Sequence, residues 1–295
     1  MAAGFGIGVA FIIPGFSGGS VAAILGIYER LIGAIADIFR DFKKSVVTLI
    51  PIFIGLCLGA VSLLYPLGWA LSAFPLPTVS LFVGLALGGM FSITEKAKGK
   101  MNIAAYFALI IPILLTVLLC FAPTGADVDL FSLDFGGYLL LFAAGILGSC
   151  ALVIPGISGS MILLILGYYN PLITLVTQHF FRGDRFLECF LVLMATGLGI
   201  VVGFIGISMV MKILLKKYSR LTHLAIIGFI VGSVPTVYVS TAKDAGYTLS
   251  TLPRDPWLYT VSVLLLIVGF VLAFMFVKKA GKLATRKSDC EADES

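Results

Sequence analysis

Charged residues are scarce in this chain of 295 residues: they make up 12% of it, whereas apolar residues make up 60% and the mean hydropathy is +1.11. Soluble domains contain roughly 45–50% apolar residues. The composition therefore excludes an ordinary soluble protein and indicates an integral membrane protein. The net charge is a modest +5. The basic residues cluster in short loops and in the C-terminal tail, which is typical of topology signals and not of a nucleic-acid-binding surface.

Cysteine and histidine are also rare, with five and two residues. Four cysteines lie in apolar segments and Cys290 lies in a charged tail, so neither a disulfide framework nor a metal-binding spacing is indicated. Neither His179 nor His223 neighbours a Ser-Gly pair, and no Asp-x-x-Asp-Gly run occurs. A membrane phosphatase or phosphotransferase would need such groups, so an enzyme is the least favoured class and no cofactor is expected. A cleaved signal peptide is not expected either, because no basic region precedes the first apolar stretch.

One six-residue motif occurs twice. Ile-Pro-Gly-Phe-Ser-Gly occupies residues 13–18, and Ile-Pro-Gly-Ile-Ser-Gly occupies residues 154–159. Each copy continues through Leu-Gly to a tyrosine, and four Gly residues at spacings of four recur further along in both halves. A duplicated unit therefore built the chain. A helix-breaking Pro-Gly inside an apolar run, present in both halves, is typical of transporters.

Apolar runs predict the membrane-spanning helices, each of which needs about 20 residues. Six such runs lie at about residues 45–67, 78–93, 102–121, 187–211, 221–240 and 257–277. Two further regions, residues 4–36 and 137–177, are broken by the motif, and we expect them to form re-entrant helical hairpins. The first half of the second region, Gly137 to Ile154, is also long enough to span, so both topologies remain open there.

Loop charge predicts the orientation of these segments, because Lys and Arg collect on the cytoplasmic side. The loop with Arg40, Lys43 and Lys44 and the tail at residues 278–295 would then be cytoplasmic, together with both termini. Each repeat, residues 1–121 and 136–277, contains one hairpin and three spanning helices. Since that number is odd, we predict an all-α integral membrane protein built as an inverted repeat. The alternative is a parallel pair of bundles.

The broken hairpins predict an anion site. Ser17 and Ser158 stand where they can cap the half-helices that begin near Gly19 and Ser160. The free N–H groups at those starts would attract a phosphate or a carboxylate near the middle of the bilayer. The alternative is that each break is only a tight corner of the fold.

Several ionisable residues lie near membrane depth, where they are functional candidates. Glu29 and Arg30 follow the first break; alternatively they face interfacial water and pair with Asp37 or Arg40. A second group at the outer end of the second hairpin either receives an anionic headgroup or forms a solvated loop; it contains Arg182, Asp184, Arg185 and Glu188. Both histidines are expected to be interfacial and without a special role.

The doubled motif, with Tyr28-Glu29-Arg30 after its first copy and Tyr169-Asn170-Pro171 after its second, resembles the PopT family of polyprenyl-phosphate transporters. The resemblance implies a lipid transporter (flippase) of the prokaryotic cell membrane that returns undecaprenyl phosphate from the outer to the cytoplasmic leaflet. By motif position, it also implies which residues contact the phosphate headgroup: Ser17, Gly18, Gly19, Ser20, Ser158, Gly159 and Ser160. Phe16 and Ser20 depart from the family pattern, and an N-terminal extension is expected to be missing.

Bringing a phosphate inward moves negative charge toward the negative side of the membrane, at a cost of about 2.3 kcal/mol per charge per 100 mV. We therefore expect a proton or a sodium ion to accompany the anion, with Glu29 as its carrier. Arg30 and Arg185 would be counter-charges for the headgroup. The alternative function is a transporter or channel for a small soluble anion.

Overall fold

The computed structural model describes residues 1–11, 17–180, 185–246 and 255–293, without the side chains of Asp244 and residues 279–293. Residues 12–16 of the first motif lie outside this part, as do Arg182 and Asp184. In the described ranges the secondary structure is helical, with a π-helical turn at Leu175–Phe180 and the following α-helices: α1 (Ala2–Ala10), α2 (Gly18–Ile24), α3 (Tyr28–Ala36), α4 (Phe42–Ala73), α5 (Pro75–Gly89), α6 (Phe91–Thr94), α7 (Ile103–Cys120), α8 (Phe135–Val153), α9 (Gly159–Ile165), α10 (Tyr169–Thr174), α11 (Phe186–Lys217), α12 (Ser219–Asp244) and α13 (Pro256–Asp293).

Seven of the described helices are long and apolar enough to cross a bilayer: α4, α5 with α6, α7, α8, α11, α12 and α13. Their outer surfaces expose large apolar side chains, such as Val61 at 73% and Phe135 at 85%. In water so much exposed apolar surface would cause aggregation, whereas lipid tails cover it without cost. The predicted class, an all-α integral membrane protein, is therefore confirmed.

Both motif copies are followed by a sharply bent pair of short helices. The angle is 120° between α2 and α3, and 109° between α9 and the segment made by α10 and the π-helical turn. The bends lie at Gly26 and Gly167, where φ is +71° and +76°. Residues with a Cβ rarely adopt this left-handed conformation, which explains why Leu-Gly recurs after each motif. α8, with 19 residues, is about 28 Å long and reaches across most of a bilayer before the second break.

The first helix of each half packs on the first long helix after its hairpin, at equivalent positions. α1 packs on α4 and α8 packs on α11. A methyl group added to Gly55 would overlap the carbonyl oxygen of Met1, and one added to Gly199 would overlap that of Phe142. Such close backbone approach is what glycines at this spacing permit. These glycines therefore lie at close helix contacts.

The remaining long helices pair across the two halves, again in equivalent fashion. α5 packs on α13, and α12 packs on α7. A methyl group on Gly84 would overlap the carbonyl oxygen of Leu266, and one on Gly228 would overlap that of Leu109. The second helix of each half therefore packs on the third helix of the other half. These equivalent contacts agree with duplication; the inverted orientation of the repeats stays a prediction.

The basic loops at residues 37–44, 95–100 and 212–220 gather on one side of the molecule, which we call the basic face. Lys212 at the end of α11 forms an ion pair with Asp37 just before α4, and Arg220 donates to the carbonyl oxygens of Ala97 and Lys100. α4 therefore begins at the basic face and α11 ends there. The 32 residues of α11 span about 48 Å, so its first residues lie at the opposite face.

Candidate functional site

The first turns of α2 and α9 start at the two motif serines, which lack the expected capping bonds. Ser17 and Ser158 occupy the N-cap positions in extended conformation, but neither side chain accepts a hydrogen bond from its helix. By contrast, the side chains of Asn102 and Asp134 accept from the first turns of α7 and α8. The position of the two serines was thus predicted correctly, and the side-chain capping bond was not. Neither hydroxyl group is therefore used to cap its own helix.

The first half of this site contains two buried hydroxyl groups without a partner. Ser17 is 4% exposed and Ser20 is 2% exposed, and within the described part of the chain neither Oγ atom makes a hydrogen bond. Burying an unpaired hydroxyl group costs about 1–3 kcal/mol. A fold that keeps two of them beside a helix start is strained in a way that a polar ligand would relieve.

The second half differs in detail. Ser158 is buried and Ser160 is exposed, and their hydroxyl groups lie 2.8 Å apart in a mutual hydrogen bond. Ser160 corresponds to Gly19 of the first half, and Ser20 corresponds to Met161. The two halves therefore share their backbone but place their hydroxyl groups differently, so a ligand between them meets an asymmetric set of donors.

The two hairpins meet at this point. A Cβ added to Gly19 would lie 3.0 Å from the carbonyl oxygen of Val153 and 3.4 Å from the Cα of Pro155, so glycine permits the close approach. The hydroxyl group of Tyr28, a buried residue, donates to the same Val153 oxygen at 3.0 Å. The structure thus brings the start of α2 against the second motif, although no sequence pattern links the residues of this contact.

An apolar cavity of about 400 Å³ adjoins the meeting point. Gly18, Gly19 and Val153 are among its lining residues, and most of the others are apolar side chains of α3, α4 and α11. On the other side of α2, a second apolar cavity of about 440 Å³ lies between α1, α5 and α13. Gly18 and Gly19 at the start of α2 therefore adjoin one space suited to hydrocarbon, and Val21 and Ile24 further along α2 adjoin the other.

Glu29 lies in a cluster of charged side chains that sequence reasoning did not identify. Its Oε1 atom lies 2.7 Å from Nζ of Lys96 and 3.2 Å from Nε2 of His223. The alternative, in which Glu29 and Arg30 pair with Asp37 or Arg40, does not describe these contacts: Glu29 pairs with Lys96 and His223, and Asp37 pairs with Lys212. His223 was also misjudged, since it is buried and in contact with a carboxylate.

Arg30 and Arg185 do not lie beside the serines. Arg30 lines an open groove at the basic face with Lys43, Lys44 and neighbouring residues at the start of α4. Arg185 precedes α11 at the opposite face, 3.5 Å from the carboxylate of Glu188 and with its guanidinium 5.0 Å from the ring of Phe131. The two arginines therefore flank the hydroxyl-lined site from opposite faces.

Comparisons with known proteins agree with one another. The family model described as undecaprenyl phosphate translocase-like matches residues 7–251. A polyprenyl-phosphate transporter of Staphylococcus aureus (strain NCTC 8325 / PS 47) is 31% identical over 275 residues, covering 92% of each chain. A protein of the same name from Vibrio cholerae is 29% identical over 113 residues, covering 33% of this chain and 36% of its own. No solved structure matches. The chain belongs to the undecaprenyl phosphate translocase-like family.

Proposed function

We propose that this protein moves a polyprenyl phosphate, such as undecaprenyl phosphate, between the leaflets of a prokaryotic cell membrane. The observation that carries the proposal is the pair of buried hydroxyl groups of Ser17 and Ser20, which have no hydrogen-bond partner within the described part of the chain, where the two hairpins meet. The Staphylococcus aureus relative, named polyprenyl-phosphate transporter, supports the choice of substrate. In this proposal the lipid is carried unchanged, so no bond is made or broken.

The phosphate headgroup is held by hydroxyl groups and backbone N–H groups of the two motifs. Ser17, Gly18, Gly19 and Ser20 would contact it from the first half, and Ser158, Gly159 and Ser160 from the second. α2 and α9 contain only seven residues each, so their dipoles are short and the hydroxyl groups must supply much of the binding. Hydrogen bonds to a charged acceptor contribute about 1.5–3 kcal/mol each, enough for a few donors to replace part of the headgroup's hydration.

The cavity wall favours a lipid over a free anion. A soluble phosphate gains nothing from the apolar side chains of α3, α4 and α11, whereas an isoprenoid chain can replace other lipid tails against them at little cost. The tail would lie along this cavity and continue into the bilayer. A transporter for a small soluble anion is the second candidate, and an enzyme acting on lipid phosphates is less favoured.

Loop charge supports the direction of transport. The basic face carries the Lys and Arg residues that mark a cytoplasmic surface, so the proposal puts this face and both termini in the cytoplasm, with repeats 1–121 and 136–277 inverted. The headgroup would move from the face with Arg185 toward the face with Arg30, each arginine attracting it at one end. Because this path opposes the membrane potential, a proton or a sodium ion accompanies the headgroup, and Glu29 is the carrier in this proposal.

The experiment is leaflet-resolved transport of undecaprenyl phosphate in proteoliposomes, with inorganic phosphate in a parallel uptake assay. The variants are Ser17→Ala with Ser20→Ala, and Ser158→Ala. The control is Ser262→Ala, because Ser262 is a buried serine on α13 that bonds only to its own helix at Leu258. We expect the motif variants to lose transport at least tenfold and the control to retain it. Uptake of inorganic phosphate without lipid movement would refute the proposal and support the second candidate.

A further inference from the structure

His223 has a tautomer that its surroundings fix. Its Nδ1 atom lies 2.6 Å from the carbonyl oxygen of Ser219, and a carbonyl oxygen only accepts, so Nδ1 carries a hydrogen atom. The other ring nitrogen, Nε2, lies 3.2 Å from Oε1 of Glu29. With Nδ1 committed to Ser219, any proton that the ring gains or loses is at Nε2, facing the carboxylate.

The charge of the ring decides how this contact behaves. A protonated Nε2 donates a charge-assisted hydrogen bond to Glu29, whereas a neutral ring turns its lone pair toward the carboxylate oxygen. The other charged groups near the ring have partners of their own: Lys96 pairs with Glu29, and Arg220, one turn earlier on α12, donates to the carbonyl oxygens of Ala97 and Lys100. A proton at His223 therefore strengthens the attachment of α3 to α12.

The first turn of α3 connects this contact to the phosphate site. Glu29 is adjacent to Tyr28, whose hydroxyl group bonds to Val153 directly before the second motif. The bend that precedes them, at Gly26, has φ of +71°, and a Cβ added there would meet no other atom within 4 Å. A stronger bond between Glu29 and α12 would therefore keep the Tyr28 hydroxyl group on the carbonyl oxygen of Val153. Val153 in turn lies against Gly19 of the first motif.

We propose that His223 is a positioning residue that binds a proton together with the phosphate headgroup. The inference rests on the proposed function. The proton forms the Nε2–H bond on arrival from water and leaves to water when that bond breaks. Glu29, the carrier in the proposed function, faces this proton through its Oε1 atom, so the Glu29–His223 pair holds the proton while Lys96 keeps its charge. A cavity of about 30 Å³ lined by Glu29, Lys96 and His223 has room for about one water molecule to pass the proton. By linkage, the proton and the headgroup strengthen each other's binding.

The test uses the fact that the chain has only two histidines. Binding of undecaprenyl phosphate is measured in detergent between about pH 5 and 8, the range in which histidines usually titrate, for the wild type, His223→Gln and His179→Gln. His179 is the matched control, because its ring packs on Phe131 beside Arg185 and away from the serines. The phosphate group of the lipid also titrates near pH 6, so the quantity compared is the ratio of dissociation constants at each pH.

At acidic pH we expect the wild type to bind the lipid more tightly than His223→Gln. The ratio of the two dissociation constants should shrink by about tenfold between about pH 5 and 8, which is the effect of losing one charge-assisted hydrogen bond. The ratio between wild type and His179→Gln should stay constant. A wild-type to His223→Gln ratio that is the same at every pH overturns the inference, even if binding is weaker throughout.

A second variant, Glu29→Gln, keeps the inference testable if His223→Gln does not fold. The Glu29 side chain is half-exposed, and its loss should remove the same pH-dependent advantage; a retained advantage overturns the inference. If the wild type binds no undecaprenyl phosphate at any pH, the proposed function fails. If the wild type binds the lipid but the ratio of its dissociation constant to that of His223→Gln is the same at every pH, only the proposed role of His223 is refuted.

Discussion

Replacing Ser20 by alanine should stabilise the protein while it weakens ligand binding. The Ser20 hydroxyl group is buried and unpartnered, and removing such a group returns about 1–2 kcal/mol of its burial cost. Ser80 is a matched control because it is equally buried, at 2% exposed, but it donates to Leu76 and bonds to the Tyr238 hydroxyl group at 2.7 Å. A bond between helices in a membrane protein contributes about 0.6 kcal/mol on average, so Ser80→Ala should destabilise.

Thermal unfolding in detergent, followed by intrinsic fluorescence, measures the stability gain expected for Ser20→Ala and the loss expected for Ser80→Ala. A change of 1 kcal/mol corresponds to roughly 2–4 °C in Tm for a chain of this size, so Ser20→Ala should unfold a few degrees higher than wild type and Ser80→Ala slightly lower. Undecaprenyl phosphate at 100 times Kd stabilises the wild type by about 2.7 kcal/mol, and this gain should shrink by about 1.4 kcal/mol if Ser20→Ala weakens binding tenfold. A lower Tm for Ser20→Ala without ligand would show that its hydroxyl group is already bonded, and the reasoning about the site would fail.

Three further substitutions test the contacts around the site. Tyr28→Phe should destabilise by about 1–2 kcal/mol, because a buried carbonyl oxygen loses its donor, while Tyr65→Phe on the exposed side of α4 should leave Tm unchanged; equal shifts would contradict the hairpin contact. Gly203→Ala should lower Tm by several degrees because its methyl group would lie 2.6 Å from a carbonyl oxygen of α8, whereas Gly206→Ala, with open space around it, should raise Tm slightly. Arg185→Ala should slow transport a few-fold at low salt and have little effect at high salt; an effect independent of salt would contradict a role in attracting the headgroup.

Much of the fold follows from local properties of the chain. Apolar runs long enough to span a bilayer indicate helices because a backbone in lipid must satisfy its own hydrogen bonds, and the described helices lie where these runs are. Gly26 and Gly167 recur because only glycine readily adopts the left-handed turn between the short helices. The serines at the starts of α2 and α9 were likewise visible as residues that follow a Pro-Gly break.

The contacts of the site could not be predicted in this way. Glu29 and His223 lie on helices far apart in the sequence, and nothing near either residue indicates the other. The pairing of Asp37 with Lys212 likewise depends on where α3 and α11 end relative to each other, which the sequence does not show. Side-chain capping by Ser17 failed for a similar reason: the direction in which its hydroxyl group points depends on the packing around it.

The sequence by itself determined that the protein is helical, lies in the membrane, is built from a duplicated unit and breaks its helices at two serine-bearing motifs. These properties depend on hydrophobicity and backbone conformation, which act over a few neighbouring residues. Only the tertiary structure decided that Gly19 lies against Val153, that two buried hydroxyl groups have no partner among the described residues, and that His223 faces Glu29. Such contacts depend on how whole helices pack, because a small rotation of a helix exchanges the neighbours of every side chain on its surface.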